Sequence, residues 1–71
     1  MNRFFGKSEN ISDDTILIDG NDVNHIRNVL RMHRGDKLIV TGGNNRDYVC
    51  SVREYEDDKV CLDIVDEIAA D

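Results

Sequence analysis

Proline and tryptophan are absent from these 71 residues, aromatic side chains make up 6% of them, and cysteine occurs only twice. No repeat or low-complexity stretch is present, which excludes a repeat array or a flexible linker. Cys50 and Cys61 are too few for a disulfide-dense scaffold, and their spacing fits no paired-ligand metal motif. If Asp57-Asp58 is a hairpin tip, Cys50 falls opposite Val65 and not Cys61. The two sulfurs are then out of register, and two reduced, packed thiols are expected. No hydrophobic run approaches the length of a membrane span, and the N-terminus lacks an apolar stretch of signal-peptide length. A cytoplasmic chain without membrane contact is the expectation.

Catalytic patterns are missing as well. No nucleophile sits in a pattern with a base. Gly42-Gly43-Asn44-Asn45 lacks the Lys-Ser/Thr and the following helix of a phosphate loop. His25 and His33 lie eight residues apart, about 12 Å along a helix at 1.5 Å per residue, too far for one metal site. No catalytic, cofactor-binding or metal-binding residue is therefore assigned.

Positive charge is also in short supply, with 9 basic against 15 acidic residues and a net charge of −6. Its distribution is uneven: residues 1–24 carry −3, residues 25–37 carry +3, residues 38–53 carry +1 and residues 54–71 carry −7. The total argues against a general nucleic-acid-binding body. A local basic patch remains possible, because exposed charges are screened beyond about 8 Å in physiological salt.

What is present is strand pattern. Arg3-Phe4-Phe5 is a short aromatic strand. Thr15-Ile16-Leu17-Ile18 is a β-branched run closed by Asp19-Gly20. Lys37 to Thr41 sets Leu38 and Val40 on one face. Arg46 to Tyr55 alternates with Tyr48, Cys50 and Val52 inward, and Lys59 to Ile68 alternates with Val60, Leu62 and Ile64 inward. Turns fall at Gly42–Asn45 and Asp57-Asp58. Between the second and third strands, Val23, Ile26 and Leu30 recur at helical spacing with Val29 beside them. Asn21 is positioned to cap the helix start, and Gly35 to end it in a left-handed conformation after Met32–Arg34. The order β-β-α-β-β-β in so short a chain predicts a mainly β fold: a small, five-stranded, partly closed barrel with one short α-helix against it.

The helix carries most of the information. Its apolar stripe must face the barrel, which leaves Asn24, Arg27, Asn28 and Arg31 recurring on another face. Arginine forks bind phosphate bidentately, and asparagine can bond base edges or sugars. Arg34 and Lys37 extend the patch into the following loop. An ordinary solvated face, with arginines suited to the C-terminal end of the helix dipole, accounts for the same pattern. His25 falls between the two faces and is expected to be at least half-buried.

Three segments together resemble the start of the RsmE family, the bacterial 16S ribosomal RNA uridine N3-methyltransferases. They are Arg3-Phe4-Phe5, the segment His25-Ile26-Arg27-Asn28-Val29-Leu30-Arg31, and Gly35-Asp36 followed by an apolar strand. Position 24 departs from the family, which often has a second histidine there; this chain has Asn24. The resemblance implies a PUA-like β-barrel over residues 1–71 that recognises 16S rRNA in the small ribosomal subunit. It also implies a C-terminal SPOUT domain, absent from this chain, that binds S-adenosylmethionine, forms the homodimer and transfers the methyl group. The segment Ile68-Ala69-Ala70-Asp71 then falls where a linker to that catalytic domain begins. Arg3, His25, Arg27, Asn28, Arg31, Arg34 and Lys37 become the expected RNA-binding residues. The competing expectation is a protein-interaction or dimer-support barrel, in which the helix arginines meet carboxylates of a partner and not RNA.

Overall fold

The computed structural model describes residues 1–69; Ala70 and Asp71, the end of the expected linker, lie outside the described residues. Five strands form one curled sheet: β1 (Arg3–Gly6), β2 (Thr15–Ile18), β3 (Lys37–Gly42), β4 (Arg46–Glu56) and β5 (Lys59–Ala69). Their spatial order is β1-β3-β4-β5-β2. β1 pairs with β3 in parallel, and the other three pairings are antiparallel. The two edge strands are therefore β1 and β2, and the curl of the sheet brings them into contact. This is the expected partly closed barrel, with a short 3-10 turn at Ser8–Asn10 added between β1 and β2.

Alternation builds the core. Leu38 and Val40 of β3, Tyr48, Cys50 and Val52 of β4, Val60 and Leu62 of β5, and Ile16 and Ile18 of β2 all point inward and are buried. Val23, Ile26 and Met32 close over them from the helical segment, and among the described residues no polar or charged residue is buried with them. Gly6 is required where β1 meets β3, since a Cβ there would lie 2.6 Å from a methyl group of Val40.

The long hairpin β4–β5 contains two irregularities. Val52 pairs with Leu62 but Glu54 with Cys61, so Arg53 is an extra residue on β4; Val49 pairs with Asp66 but Cys50 with Ile64, so Val65 is an extra residue on β5. Such bulges reverse the facing of the residues beyond them. Cys50 consequently sits opposite Ile64, one residue from the expected Val65. Both cysteines are free thiols. Burial pushes the Cys50 thiol up to about 12, and nearby Asp63 adds to the shift.

The helical segment departs from expectation at both ends. Its N-cap is Gly20, at φ 74°, with no side-chain cap; Asn21 is already the first helical residue. Only Asn21–Asn24 is α-helical, and His25–Val29 is a π-turn. The N–H of Leu30 donates to the His25 carbonyl at 2.9 Å, and that of Met32 to the Ile26 carbonyl at 3.0 Å. The wider turn rotates the stripe, so Val29 is 61% exposed while Met32 is buried. The left-handed residue that ends the helix is Arg31, at φ 52°, and not Gly35. Gly35 does take φ 93°, but in the turn that leads into β3. There its N–H donates to the Val52 carbonyl at 2.8 Å and starts the ladder with β4.

Candidate nucleic-acid interface

The end of the helical segment and the tip of the β4–β5 hairpin enclose an open concavity lined by Arg27, Asn28, Arg31, Met32, His33 and Tyr55. Its floor follows from the bulge at Arg53. Tyr55 is out of phase with the inward residues Tyr48, Cys50 and Val52, and on a regular strand it would face outward. The extra residue turns it inward, opposite Val60, where it is half-buried against the core. Its hydroxyl donates to the Met32 carbonyl at 2.6 Å, which joins hairpin tip to helix end. Burial raises the Tyr55 phenol above its ordinary value; Arg27 opposes the shift and Asp36 adds to it.

Arg27 projects from the π-turn, and its guanidinium lies over the Tyr55 ring, 4.7 Å from the centroid. One terminal nitrogen donates to the Asp57 backbone carbonyl at 3.4 Å. Asn28 donates to the Asn24 side-chain oxygen at 2.7 Å, which fixes the polar face expected from the spacing. Arg31 stands at the same rim. A left-handed backbone costs a residue with a Cβ roughly 1–2 kcal/mol, and glycine is the usual occupant of such a helix end. π-turns and unusual backbone conformations cluster at functional sites, and here both occur within one short segment.

The remaining expected residues are placed elsewhere. His25 is exposed, not half-buried: the π-turn sets it beside the edge strand, edge-on to Phe4 with ring centroids 5.9 Å apart. Arg3 lies on the opposite face of the sheet from the helix, paired with Asp47 at 2.6 Å and donating to Thr41 at 3.1 Å. That ion pair holds the Asp47 carboxyl below its ordinary value. Lys37 opens β3 opposite Ser51 and alternates with inward Leu38, so it too faces away from the helix. Arg34 is exposed in the turn before β3 and does not line the concavity. The structure thus gathers Arg27, Asn28 and Arg31, adds Tyr55 and His33, and separates Arg3, His25, Arg34 and Lys37 from them. The parity of Tyr55 against its strand was the one available sign of its role.

Electrostatic pairing divides the cations. Among the described residues, Arg3, Lys7, Arg46 and Arg53 each have a carboxylate partner: Asp47, Asp19, Glu67 and Asp63. Arg27, Arg31, Arg34, Lys37 and Lys59 have none among the described residues, and of these Arg27 and Arg31 share one concavity.

The chain matches the family model described as the RNA methyltransferase PUA domain over residues 18–65. It belongs to that family. Among solved structures it is similar to ribosomal RNA small subunit methyltransferase E from Neisseria gonorrhoeae bound to S-adenosyl methionine, with 26% identity, a TM-score of 0.73, and coverage of 94% of this chain and 28% of that one. It is also similar to a predicted RNA methyltransferase from Thermotoga maritima (22% identity, TM-score 0.83, 100% of this chain and 31% of that one). A probable rRNA-methyltransferase from Porphyromonas gingivalis shares the fold at 20% identity and a TM-score of 0.81, over 100% of this chain and 29% of that one. A comparison with curated proteins gives no match. The PUA domain thus spans under a third of the length of these solved relatives, and the RsmE resemblance holds for an N-terminal domain of that type. Among the described residues of the domain, no helix is long and apolar enough to cross a membrane.

Proposed function

We propose that this PUA domain is the rRNA-recognition part of an S-adenosylmethionine-dependent 16S rRNA (uracil N3)-methyltransferase that acts in ribosome biogenesis in the cytoplasm. Residues 1–71 hold the RNA. A C-terminal SPOUT domain beyond this chain holds the cofactor, forms the homodimer and performs the methyl transfer. The observation that carries the reading is the grouping of two unmatched cations: Arg3, Arg46 and Arg53 are matched by carboxylates, while Arg27 and Arg31 share an open concavity with no carboxylate partner among the described residues. A solvated face would need no such grouping, whereas a polyanion supplies the missing counter-charge. Arg34 and Lys37 are close in sequence and can meet a longer RNA outside the concavity.

The test is RNA binding against salt concentration. Arg27→Ala with Arg31→Ala should weaken binding of a small-subunit rRNA fragment. It should also lower the log–log salt slope, by roughly 0.7 for each of the two arginines that meets a phosphate on a single strand. Arg3→Ala with Arg46→Ala should leave the slope nearly unchanged. An unaltered slope in the first variant removes the reading.

The second reading, a protein-interaction or dimer-support barrel, draws on the acidic hairpin tip. Asp57 and Asp58 line a neighbouring hollow with Asn24, Arg27 and Asn28, and like charge there opposes RNA. Amide chemical shifts separate the two. RNA should perturb Arg27 and Arg31, whereas perturbation only on adding the catalytic domain would favour the second reading.

A further inference from the structure

Resting on the RNA-binding reading above, we infer that Arg27 and Tyr55 form a stacking platform for one unpaired base, so that the RNA segment seated in the concavity is single-stranded.

A guanidinium meets a nucleic acid in two ways: its N–H edge grips a phosphate, or its plane stacks on a base. Here part of the edge is already engaged, since a terminal nitrogen of Arg27 donates to the Asp57 carbonyl at 3.4 Å. One side of the guanidinium is taken by the Tyr55 ring at 4.7 Å. The ring in turn is anchored through its hydroxyl at 2.6 Å from the Met32 carbonyl. Arg27 is thereby held from below and from one edge. Arg27 and Tyr55 both line an open concavity of about 750 Å³, roughly the size range of small-molecule pockets. No carboxylate forms an ion pair with Arg27 among the described residues. A held cation–aromatic pair with a free face accepts a base of any sequence by stacking. Asn28 and Arg31 at the rim are placed to meet the sugar or phosphate beside that base. An A-form duplex hides its base faces within the stack, and cannot use the platform.

The experiment compares three fluorescent probes: a short oligouridylate, a ribose-phosphate strand of the same length without bases, and an RNA hairpin. The protein should bind oligouridylate about tenfold more tightly than the base-free strand, as expected for one stacked base. Arg27→Lys keeps the charge and loses the plane. It should erase most of that ratio while leaving affinity for the base-free strand within about twofold. Tyr55→Leu removes the ring and should lose the ratio. Circular dichroism and urea titration of each variant establish that the fold persists. Equal affinity of the natural protein for base-bearing and base-free strands overturns the platform but leaves phosphate-mediated RNA binding standing. Preference for the hairpin overturns it too. Failure to bind any of the three removes the RNA-binding reading and this inference with it.

Discussion

Arg3 and Arg27 make an instructive pair. Both are exposed, and both touch strands of the same sheet. Arg3 lies on the outer face, where Asp47 and Thr41 satisfy it. Arg27 lies at the helix end, over an aromatic ring and a backbone carbonyl. The Arg3 pattern recurs on the outer face at Arg53 with Asp63 and, at the far end of the β4–β5 hairpin, at Arg46 with Glu67. Exposed pairs of that kind each contribute little to stability, but they match those three arginines with carboxylates. Arg27 and Arg31 share a place where, among the described residues, no carboxylate comes within ion-pair distance of either. Here the π-turn, the left-handed Arg31 and the bulge at Arg53 together set that place.

The largest expected effect tests what holds the site rather than the site itself. Ile26 is fully buried and fixes the helical segment to the sheet. Ile26→Ala should cost about 2–5 kcal/mol, much of the stability of a domain this small, as read from the urea midpoint. RNA binding should fall with it. If the variant lost stability but bound RNA normally below its unfolding midpoint, the site would not depend on the helix being seated, and the contrast with the outer face would lose its structural basis.

Arg31→Gly should have a smaller effect and the opposite sign on stability. Glycine adopts φ 52° without the roughly 1–2 kcal/mol left-handed penalty, and part of that gain is returned through its greater freedom in the unfolded chain. The melting temperature should hold or rise while RNA affinity falls. A loss of both would mean that the Arg31 side chain supports the fold and is not retained for the ligand.

How much of this could be read from the sequence depends on the kind of order involved. Residues 46–52 and 60–64 alternate cleanly, because one face of each strand enters the core, so their strands and inward residues were legible. Helix composition was legible too, and Val23 and Ile26 face the sheet as the spacing predicts. The π-turn was not: one extra residue per turn leaves no mark in a stripe this short, and it moved Val29 outward and Met32 in. Gly35 drew the expectation of a helix cap because glycine suits that role, yet an arginine took it. The Arg53 bulge was equally silent, although it delivers Tyr55 to the site. Charge clustering identified Arg27, Asn28 and Arg31 correctly as neighbours. Clustering also drew in Arg34 and Lys37, and the family resemblance Arg3 and His25; neither sequence proximity nor a family motif says which face of a curled sheet a side chain leaves from.

The smallest expected effect concerns the matched side of the comparison. The Asp47 carboxyl titrates below its ordinary value, first because Arg3 donates to it and also because Thr41 does, with burial opposing. A carboxyl whose folded value is depressed stabilises the fold fully above its unfolded value of 3.8. That contribution is lost as the pH falls through the lower folded value. Arg3→Gln removes the main cause. The variant should therefore be slightly less stable than the natural protein at neutral pH, and the two urea midpoints should converge in acid as the pH falls through the depressed folded value. A gap that persisted in acid would assign the Arg3 contribution to packing of its side chain on the sheet rather than to charge. At neutral pH the same variant should bind RNA as the natural protein does. If Arg3→Gln weakened RNA binding as strongly as loss of Arg27, matched and unmatched arginines would be serving the same ligand, and the carboxylate beside Arg3 would be a partner displaced on binding.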